Sequence, residues 1–522
     1  MMPTINYLAV LGIASLAVLL FGVIQTIYNI WFHPLAKFPG PILWRASRVP
    51  YLYHMVRGDL TFCLLPLHEK YGSALRISPD ELSFTHPDAW KDIYGHRVGK
   101  NKAVPELPKS ARFYRTKGTL PNIISEKDRD VHTMLRRLLS HGLSEGRLRE
   151  REDLIVRYAD RLISQLRKHG MTDGSDGQPP EPRPMNMTMW YNLATVDVIT
   201  ELAFSEPSAC LANAVDDPWI AAMNGTTTNF IPLQVARHLG LEGPLTSLMR
   251  AFFSKNRMKH REVSMEKIKR RLGITVEDVD LVQVVLEKKD EWGIGDDAIL
   301  GNAAALLIAG SETTATLLAG MTYILCKHPE ALKKLTEEIR STFSSDKEIT
   351  MASALDLKYL LACLDEAMRF YPPVPIGPLR TVPKPGVTIA GDFVPEGTDV
   401  AVWHYPMFHH SDHWENPMEY RPERFLKEGR PRFAGDVRYT KQASEESDDN
   451  DRLELLQPFN VGPRNCLGRN LAYAEMRLML CRMIYNFDME LADPNKDWIR
   501  EQQANFLWKK GPLEVYLTPV SK

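Results

Sequence analysis

The residues best suited to chemistry lie in a glycine-punctuated stretch near the carboxyl end of the chain. Phe459, Gly462, Arg464, Cys466 and Gly468 follow the spacing F-x-x-G-x-R-x-C-x-G, and a helical pattern begins directly after them. Glycines allow such a loop to wrap tightly beneath a flat ligand. Free N–H groups at a helix start are expected to favour a thiolate. A thiolate beside an aromatic ring and arginines suits an axial iron ligand. The alternative is a buried cysteine in an ordinary loop.

A second reactive group lies in the middle of the longest predicted helix, Asp296–Lys327. Its centre reads Ala-Gly-Ser-Glu-Thr-Thr from Ala309 to Thr314. Small and polar residues in mid-helix cost helix stability, so they need a reason to be there. We expect the small residues to let a flat cofactor approach, and Glu312 and Thr313 to carry protons into a dry pocket. A kink packed against a neighbouring element is the alternative.

Two further patterns involve arginines. His132 and Arg136 are four residues apart in the predicted helix 128–139, so they share one helical face that could bind carboxylates. A solvated basic face is equally compatible with that spacing. Glu366 and Arg369 are three apart in the predicted helix 354–370 and can pair across one turn, although this spacing is common by chance.

Taken together and in this order, the motifs resemble those of the cytochrome P450 family over about residues 33–520. The cysteine stretch resembles the family's haem-binding loop, and the Ala309–Thr314 segment resembles the A-G-x-(D/E)-T-(T/S) signature of its distal helix. Glu366-x-x-Arg369 and the downstream Pro-Glu-Arg-Phe sequence around Arg424 resemble two more of its motifs. The amino-terminal anchor and the form of the cysteine motif are most similar to those of the membrane-bound fungal members, including those that oxidise secondary metabolites.

The resemblance implies a mainly α fold with small β-sheets, the cytochrome P450 fold, preceded by one transmembrane helix. It makes Cys466 the axial ligand of the iron in haem b, and Glu312 and Thr313 the residues that deliver protons during oxygen activation. Other residues are implied to surround the haem or bind its propionates: His132, which replaces a more usual Trp, with Arg136, Arg380, Phe459, Gly462, Arg464 and Gly468. Arg424 would join Glu366 and Arg369 in a buried ionic cluster, which is costly unless complete and is therefore architectural.

The amino terminus predicts a membrane anchor. Tyr7–Phe32 is a run of 26 uncharged, mostly apolar residues, and a helix of that length measures about 39 Å, enough to cross a bilayer. A cleaved signal peptide is less favoured, because no basic residue precedes the run and it ends in bulky side chains. We therefore predict an anchor over 1–32 and a haem-thiolate catalytic domain over 33–522. The following positive charges (Lys37, Arg45 and Arg48) place that domain in the cytosol, on a single-pass endoplasmic reticulum protein.

Composition narrows the class of partner. The formal net charge of −1 gives no indication of nucleic-acid binding, and six scattered cysteines indicate a reducing compartment without a disulfide framework. The chain has no dinucleotide or flavin fingerprint. The family resemblance therefore implies that two electrons come from outside the chain, from NADPH through a membrane-bound reductase, with cytochrome b5 as a second candidate donor.

Several other segments carry structural predictions. The sequence predicts a β-hairpin over 74–85, a loop over 95–125, helices over 150–170 and 193–204, and strands within 386–403. The acid-rich residues 441–454 are predicted to be a solvated insertion. The histidines at 409, 410 and 413 lack clear metal-ligand spacing. Two glycosylation sequons, at Asn186 and Asn224, are interpreted as chance occurrences in a cytosolic domain.

Three functions fit these features. The first is a monooxygenase acting on a lipophilic small molecule, with terpenoid, polyketide and alkaloid skeletons all acceptable. The second is a haem-thiolate isomerase, dehydratase or peroxide-dependent enzyme, and the third is a non-enzymatic haem sensor. The Glu312–Thr313 pair favours the first, because an acid and an alcohol at this place serve oxygen activation in the family that the chain resembles.

Overall fold

The computed structural model of the chain describes residues 7–97, 106–114, 121–172, 181–205, 209–214, 230–241, 281–289, 291–426 and 451–520. Parts of the predicted loops at 95–125 and 171–184, much of 211–262, residues 441–450 and the sequon at Asn224 lie outside these ranges. Helices predominate in the described residues and the strands are short, which confirms the predicted fold class.

The bounds of the elements are as follows. The α-helices are Tyr7–Ile27, Ile42–Ala46, Val49–Arg57, Leu60–Tyr71, Ala111–Tyr114, Arg129–Gly142, Glu145–Glu150, Glu152–His169, Met187–Phe204, Cys210–Asn213, Phe230–His238, Leu281–Glu287, Asp296–Lys327, Pro329–Thr342, Lys358–Phe370, His404–His409 and Arg469–Asn486. Short π-helices cover Tyr28–Phe32 and Trp90–Tyr94. The strands are Ala74–Ser78, Glu81–Phe84, Met185–Asn186, Arg380–Thr381, Val387–Ile389, Asp392–Val394, Asp399–Val402, Phe487–Leu491, Gln503–Ala504, Trp508–Lys509 and Glu514–Pro519.

The Asp296–Lys327 helix, here called the distal helix, runs through the interior with the predicted bounds. It packs closely along the Met187–Phe204 helix, most of whose residues are buried. That partner begins six residues before its predicted start, because the Asn186 side chain accepts a hydrogen bond from Met189 N and caps it. Asn186 therefore has a structural role.

The largest sheet has four strands and brings together distant parts of the chain. The predicted hairpin is confirmed, since Ala74–Ser78 pairs antiparallel with Glu81–Phe84. Glu81–Phe84 then pairs in parallel with Asp399–Val402, whose other edge holds Arg380–Thr381. Lys109 adds an isolated bridge to Arg380. The sheet thus fixes the main chain at two basic residues that contribute to the site described below.

The amino-terminal helix is exposed and continues into the Tyr28–Phe32 π-helix. Residues Leu11–Phe32 form a helix long and apolar enough to cross a membrane, near the amino terminus. Length and composition match the predicted anchor.

The end of this helix is bound to the folded body by polar contacts. The buried Arg76 donates to the carbonyl of Asn29 at 2.8 Å, and Arg45 donates to the carbonyl of Ile30 at 2.9 Å. The Asn29 side chain donates in turn to the carbonyl of Ala46 at 2.8 Å. The carbonyl groups in the last turn of a helix lack hydrogen-bond donors within the helix, and the two arginines supply those donors. We call Arg76, Arg45 and Asn29 the anchor clasp.

Candidate active site

The cysteine stretch forms a folded-back loop that ends at the Arg469–Asn486 helix. The backbone N–H of Cys466 donates to the carbonyl of Phe459 at 2.8 Å, which closes the loop. The Phe459 ring packs against Tyr473, in the helix that follows. Cys466 is exposed, although its thiol lies deep among protein atoms, so it sits on the wall of a recess. A Cβ built at Gly468 would meet no heavy atom within 4 Å, so the space in front of this glycine is open.

The charge state of Cys466 is set by opposing effects. Burial is the largest and raises the pKa of the thiol, while the Gly468 backbone N–H and the charges of Arg136 and Arg469 act in the opposite direction. The Gly468 N–H acts in the expected direction, towards the thiolate, but burial outweighs it, so the net pKa of the thiol is raised. An iron ion on the sulfur would supply the missing stabilisation, since a coordinating thiol loses its proton.

Gly462 is required by the loop geometry. Its φ is +78°, in the left-handed region, and a Cβ at this position would overlap the carbonyl oxygen of Tyr94. We predict that Gly462→Ala destabilises the protein by at least about 1–2 kcal/mol, the conformational cost alone, and lowers the amount of cofactor retained. Denaturant unfolding checks this, with Gly146→Ala as the control, because a Cβ at Gly146 meets nothing within 4 Å. An unchanged unfolding midpoint for Gly462→Ala would contradict the prediction.

Arg136 and Arg464 both lie at the cysteine loop but are held by protein acceptors. Arg136 donates to the carbonyl of Asn465 at 2.7 Å and also to its side-chain oxygen. Arg464 pairs with Glu106 and donates to the carbonyls of Glu126 and Lys127 at 2.8 and 3.0 Å. Both arginines therefore fasten the loop to neighbouring segments, whatever else they bind.

His132 lies at the centre of a set of buried basic groups. Asp128 caps the start of its helix by accepting from two backbone N–H groups at 2.9 Å. Burial, followed by the positive charges of Lys109, Arg464, Arg136 and Arg380, lowers the pKa of His132 to about 3.

Lys109 was not identified from the sequence, where it was one lysine in a long predicted loop. Burial and the charges of Arg380 and Arg464 lower its pKa to about 6, although it donates to the carbonyls of Ile123 and Ile124 at 2.8 Å. Arg380 is also buried, and its guanidinium lies over the Tyr94 ring at 5.2 Å.

The close packing of these basic groups can be used to test whether a haem would fit here. Buried like charges are unfavourable unless an anion joins them. We call His132, Arg136, Lys109, Arg380 and Arg464 the basic cluster. A haem has two carboxylates at one edge, and the chemistry of this cluster, near the exposed Cys466 and the open space at Gly468, fits such a ligand.

On the distal helix, one stripe of side chains remains accessible in an otherwise buried element. Ala309 is exposed, and Leu306 and Thr313 are partly exposed, at a spacing that places them on one face. The Thr313 hydroxyl donates to the carbonyl of Ala309 at 2.7 Å, so it is oriented by its own helix. Gly310 serves another purpose than the one expected: a Cβ there would come within 2.8 Å of Ile199, so this glycine permits close helix packing and not the approach of a cofactor.

Glu312 has a partner that the sequence did not indicate. Its carboxylate oxygen Oε2 lies 2.8 Å from Nζ of Lys510, and the two side chains are 12 % and 4 % exposed. The same ammonium donates to the Thr316 hydroxyl at 2.7 Å. The acid of the distal helix is therefore held by a lysine far along the chain.

Glu366, Arg369 and Arg424 come together in a fully buried cluster. Glu366 accepts from Arg369 at 2.7 and 2.9 Å and from Arg424 at 3.2 Å. Arg424 also pairs with Asp451 at 2.6 Å. Asp451 belongs to the acid-rich stretch that was predicted to be solvated, and for this residue the prediction is wrong, because its carboxylate balances a second buried arginine.

The histidines at 409, 410 and 413 are buried and serve the packing. His409 contacts the carbonyl of Tyr405 at 2.9 Å, and His413 contacts the carbonyl of Thr85 at 2.7 Å. Burial lowers the pKa of both rings, so each is neutral at pH 7.

Comparison with known proteins agrees with this arrangement. The model of the family described as Cytochrome P450 matches residues 42–517. The chain is 43 % identical to cytochrome P450 monooxygenase tpeC of Talaromyces stipitatus, over 98 % of this chain and 96 % of that protein. It is 38 % identical to cytochrome P450 monooxygenase prhB of Penicillium brasilianum (97 % and 98 % covered) and 36 % identical to averantin hydroxylase of Dothistroma septosporum (98 % and 92 % covered).

These relatives are fungal monooxygenases that match nearly end to end, and the family model spans the cysteine loop, the distal helix and the ionic cluster. The family implies a haem cofactor, electrons from a redox partner and a small-molecule substrate. The chain belongs to the cytochrome P450 family and is a monooxygenase of the fungal secondary-metabolism type.

Proposed function

We propose that this chain is a membrane-bound monooxygenase that hydroxylates a lipophilic small molecule, using haem b and electrons from NADPH. The observation that carries the proposal is the exposed Cys466 thiol on a recess next to the basic cluster, in a chain whose relatives are monooxygenases. One of those relatives, averantin hydroxylase, is named for a hydroxylation. Hydroxylation is therefore the reaction that we assign.

We assign the residues to two roles: one group would bind the haem, and the other would move protons. Cys466 would bind the iron, and Phe459, Gly462 and Gly468 would shape the loop beneath the ring. His132, Arg136, Arg380 and Arg464, to which we add Lys109, would neutralise its carboxylates. When bound, the haem supplies oxygen activation, to which the thiolate contributes electron density. The chain's own contribution on the distal side is proton movement, with Glu312 holding a proton-exchanging carboxylate and Thr313 a hydroxyl oriented by the Ala309 carbonyl.

The proposed substrate class rests on a cavity with a mainly apolar lining. Phe113, Ile231, Ile376 and Phe506 are among the residues that line it, whereas no residue of Asn302–Thr313 does. Cavities lined mainly by apolar and aromatic side chains with few polar groups suit lipophilic ligands.

Location and partners follow from the amino terminus. We propose that residues 1–32 anchor the chain as a single span in the endoplasmic reticulum membrane, and that residues 33–522 form the catalytic domain in the cytosol. The helix Leu11–Phe32 and the basic residues after it support this orientation. An NADPH-dependent reductase in the same membrane would supply electrons, and cytochrome b5 is a second candidate donor.

Reconstitution with the reductase tests the proposal. The full chain, loaded with haem, should consume NADPH and oxygen and form an oxygenated product only when the reductase is present. Product formation without NADPH would instead favour an isomerase, dehydratase or peroxide-dependent enzyme. Metabolite profiling of a deletion strain identifies the substrate as the precursor that accumulates.

The role of Thr313 leads to a specific prediction. Thr313→Ala is expected to uncouple oxygen use from product formation by about tenfold or more, because a general acid–base group typically contributes 10²–10⁴-fold and water replaces part of it. Product and peroxide per NADPH are the quantities to measure. Thr313→Ser, which keeps the hydroxyl, is the control and should stay coupled. Tight coupling in Thr313→Ala would show that protons take another route.

A further inference from the structure

Lys510 lies directly after a two-stranded hairpin near the carboxyl end of the chain. The hairpin pairs Gln503–Ala504 antiparallel with Trp508–Lys509, and Phe506 at its tip lines the apolar cavity. The Lys510 side chain is 4 % exposed and turns towards the distal helix, where its Nζ reaches Glu312 Oε2 at 2.8 Å and Thr316 Oγ1 at 2.7 Å. Because Glu312 and Thr316 are one helical turn apart, the ammonium bridges two groups on adjacent turns.

The main chain around Lys510 is held in place by aromatic contacts. The Trp508 indole N–H donates to the carbonyl of Pro372 at 2.7 Å, and its ring stacks on Tyr371 with centroids 4.7 Å apart. The Tyr371 hydroxyl donates to Gln502 at 2.7 Å. Gly320 of the distal helix approaches the Tyr371 ring so closely that a Cβ there would overlap it. The lysine is thus held near Glu312 by a hairpin that stacks on Tyr371, and Tyr371 in turn contacts the distal helix at Gly320.

Electrostatics makes this contact consequential. A carboxylate taken out of water is strongly disfavoured unless an opposite charge accompanies it, and loss of one partner from a buried pair costs far more than loss of a surface pair. Without the ammonium, the Glu312 carboxylate would no longer be held in its present position. That change would alter how it exchanges protons beside Thr313.

We propose that Lys510 is a positioning residue for oxygen activation, which holds the Glu312 carboxylate in a fixed orientation next to Thr313. The inference rests on the proposed proton-exchanging role of Glu312. It adds a residue outside the motifs of the distal helix and links that acid to the hairpin that lines the cavity. Lys510 itself does not exchange the proton, because its ammonium is engaged by Glu312 and Thr316.

The test compares four full-length variants in the reconstituted system: Lys510→Met, Lys510→Arg, Glu312→Gln and Lys509→Met. Lys509 is the matched control, because it is the preceding residue on the same hairpin and is exposed. Product per NADPH and its solvent deuterium isotope effect are measured for each variant whose reduced carbon-monoxide spectrum shows intact haem ligation. We expect Lys510→Met to lower product per NADPH about tenfold, the lower end of the effect of residues that orient a functional group, and to change the isotope effect as Glu312→Gln does. Lys510→Arg and Lys509→Met should stay close to the unmodified protein.

A second readout does not depend on turnover. The unfolding midpoints of Lys510→Met, Glu312→Gln and the double variant form a double-mutant cycle. The double variant removes both charges, so it should be more stable than the sum of the single losses predicts, and it keeps the test valid if Lys510→Met alone folds poorly. Additive losses would overturn the pairing.

The outcomes distinguish the positioning role of Lys510 from the proton-exchanging role of Glu312. Uncoupling in Glu312→Gln with full coupling in Lys510→Met overturns the role of Lys510 and leaves that of Glu312 intact. Full coupling in Glu312→Gln overturns the proton-exchanging role of Glu312 and the positioning role with it. Matching uncoupling in both variants, with rescue by arginine, supports both.

Discussion

Cys466→Ala is expected to abolish the reduced carbon-monoxide absorption band of a haem-thiolate protein and to lower haem retention at least about tenfold, as loss of metal-site partners does. The loop itself should survive, because its closing hydrogen bond runs from the backbone N–H of residue 466 to the carbonyl of Phe459, and alanine keeps that donor. The lost group is the thiol of an exposed residue that belongs to none of the hydrophobic core clusters.

Haem content and the reduced carbon-monoxide spectrum of the purified full chain are the measurements. Cys326→Ala is the control, because Cys326 is partly buried in the distal helix and lies outside the cysteine loop. It should keep the spectrum of the unmodified protein. An unchanged spectrum in Cys466→Ala would rule out this sulfur as the iron ligand.

Glu366→Gln is expected to have the largest effect on stability. The carboxylate is fully buried and faces both Arg369 and Arg424. A neutral amide in its place would remove the negative charge that balances these two buried guanidinium groups. Breaking a buried pair costs about 3–5 kcal/mol, against a typical total stability of about 5–15 kcal/mol. We therefore expect little folded, haem-loaded protein.

The control lies next to Arg424 in sequence. Glu423 pairs with Lys334 at 2.7 Å, but its side chain is 44 % exposed and that of Lys334 is 54 % exposed. Exposed pairs contribute at most about 1 kcal/mol, so Glu423→Gln should fold and bind haem nearly as the unmodified protein does. Denaturant unfolding and the yield of haem-loaded protein compare the two. Equal unfolding midpoints would show that the buried cluster does not brace the fold.

The features predicted well from sequence are those that local pattern determines. The distal helix has its predicted bounds because a long apolar pattern begins after Gly295, with two acids in the first turn. The 74–85 hairpin follows from alternating residues around a turn. The association of Glu366, Arg369 and Arg424 came from the family resemblance, since their spacing alone is common by chance.

The features that sequence could not supply depend on contacts between distant segments. Lys510 meets Glu312 across 198 positions of the chain, and no local pattern marks that lysine. Asp451 was assigned to solvent because its neighbours are acidic, whereas the fold selects this one carboxylate to face Arg424. Gly310 was assigned to cofactor approach because it is small, but the packing partner of a glycine is visible only once Ile199 is in place.

The anchor clasp has a mechanical consequence. Arg76 and Arg45 hold the carbonyls of Asn29 and Ile30, so the helix leaves the body at an angle fixed by folding. With Leu11–Phe32 in a bilayer, the body could not swivel freely, and its height and tilt above the lipid would be set by the same two arginines. An electron donor in that membrane would then diffuse only laterally, and it would always meet the body in the same orientation. A flexible tether of equal length would confer the proximity but not the alignment.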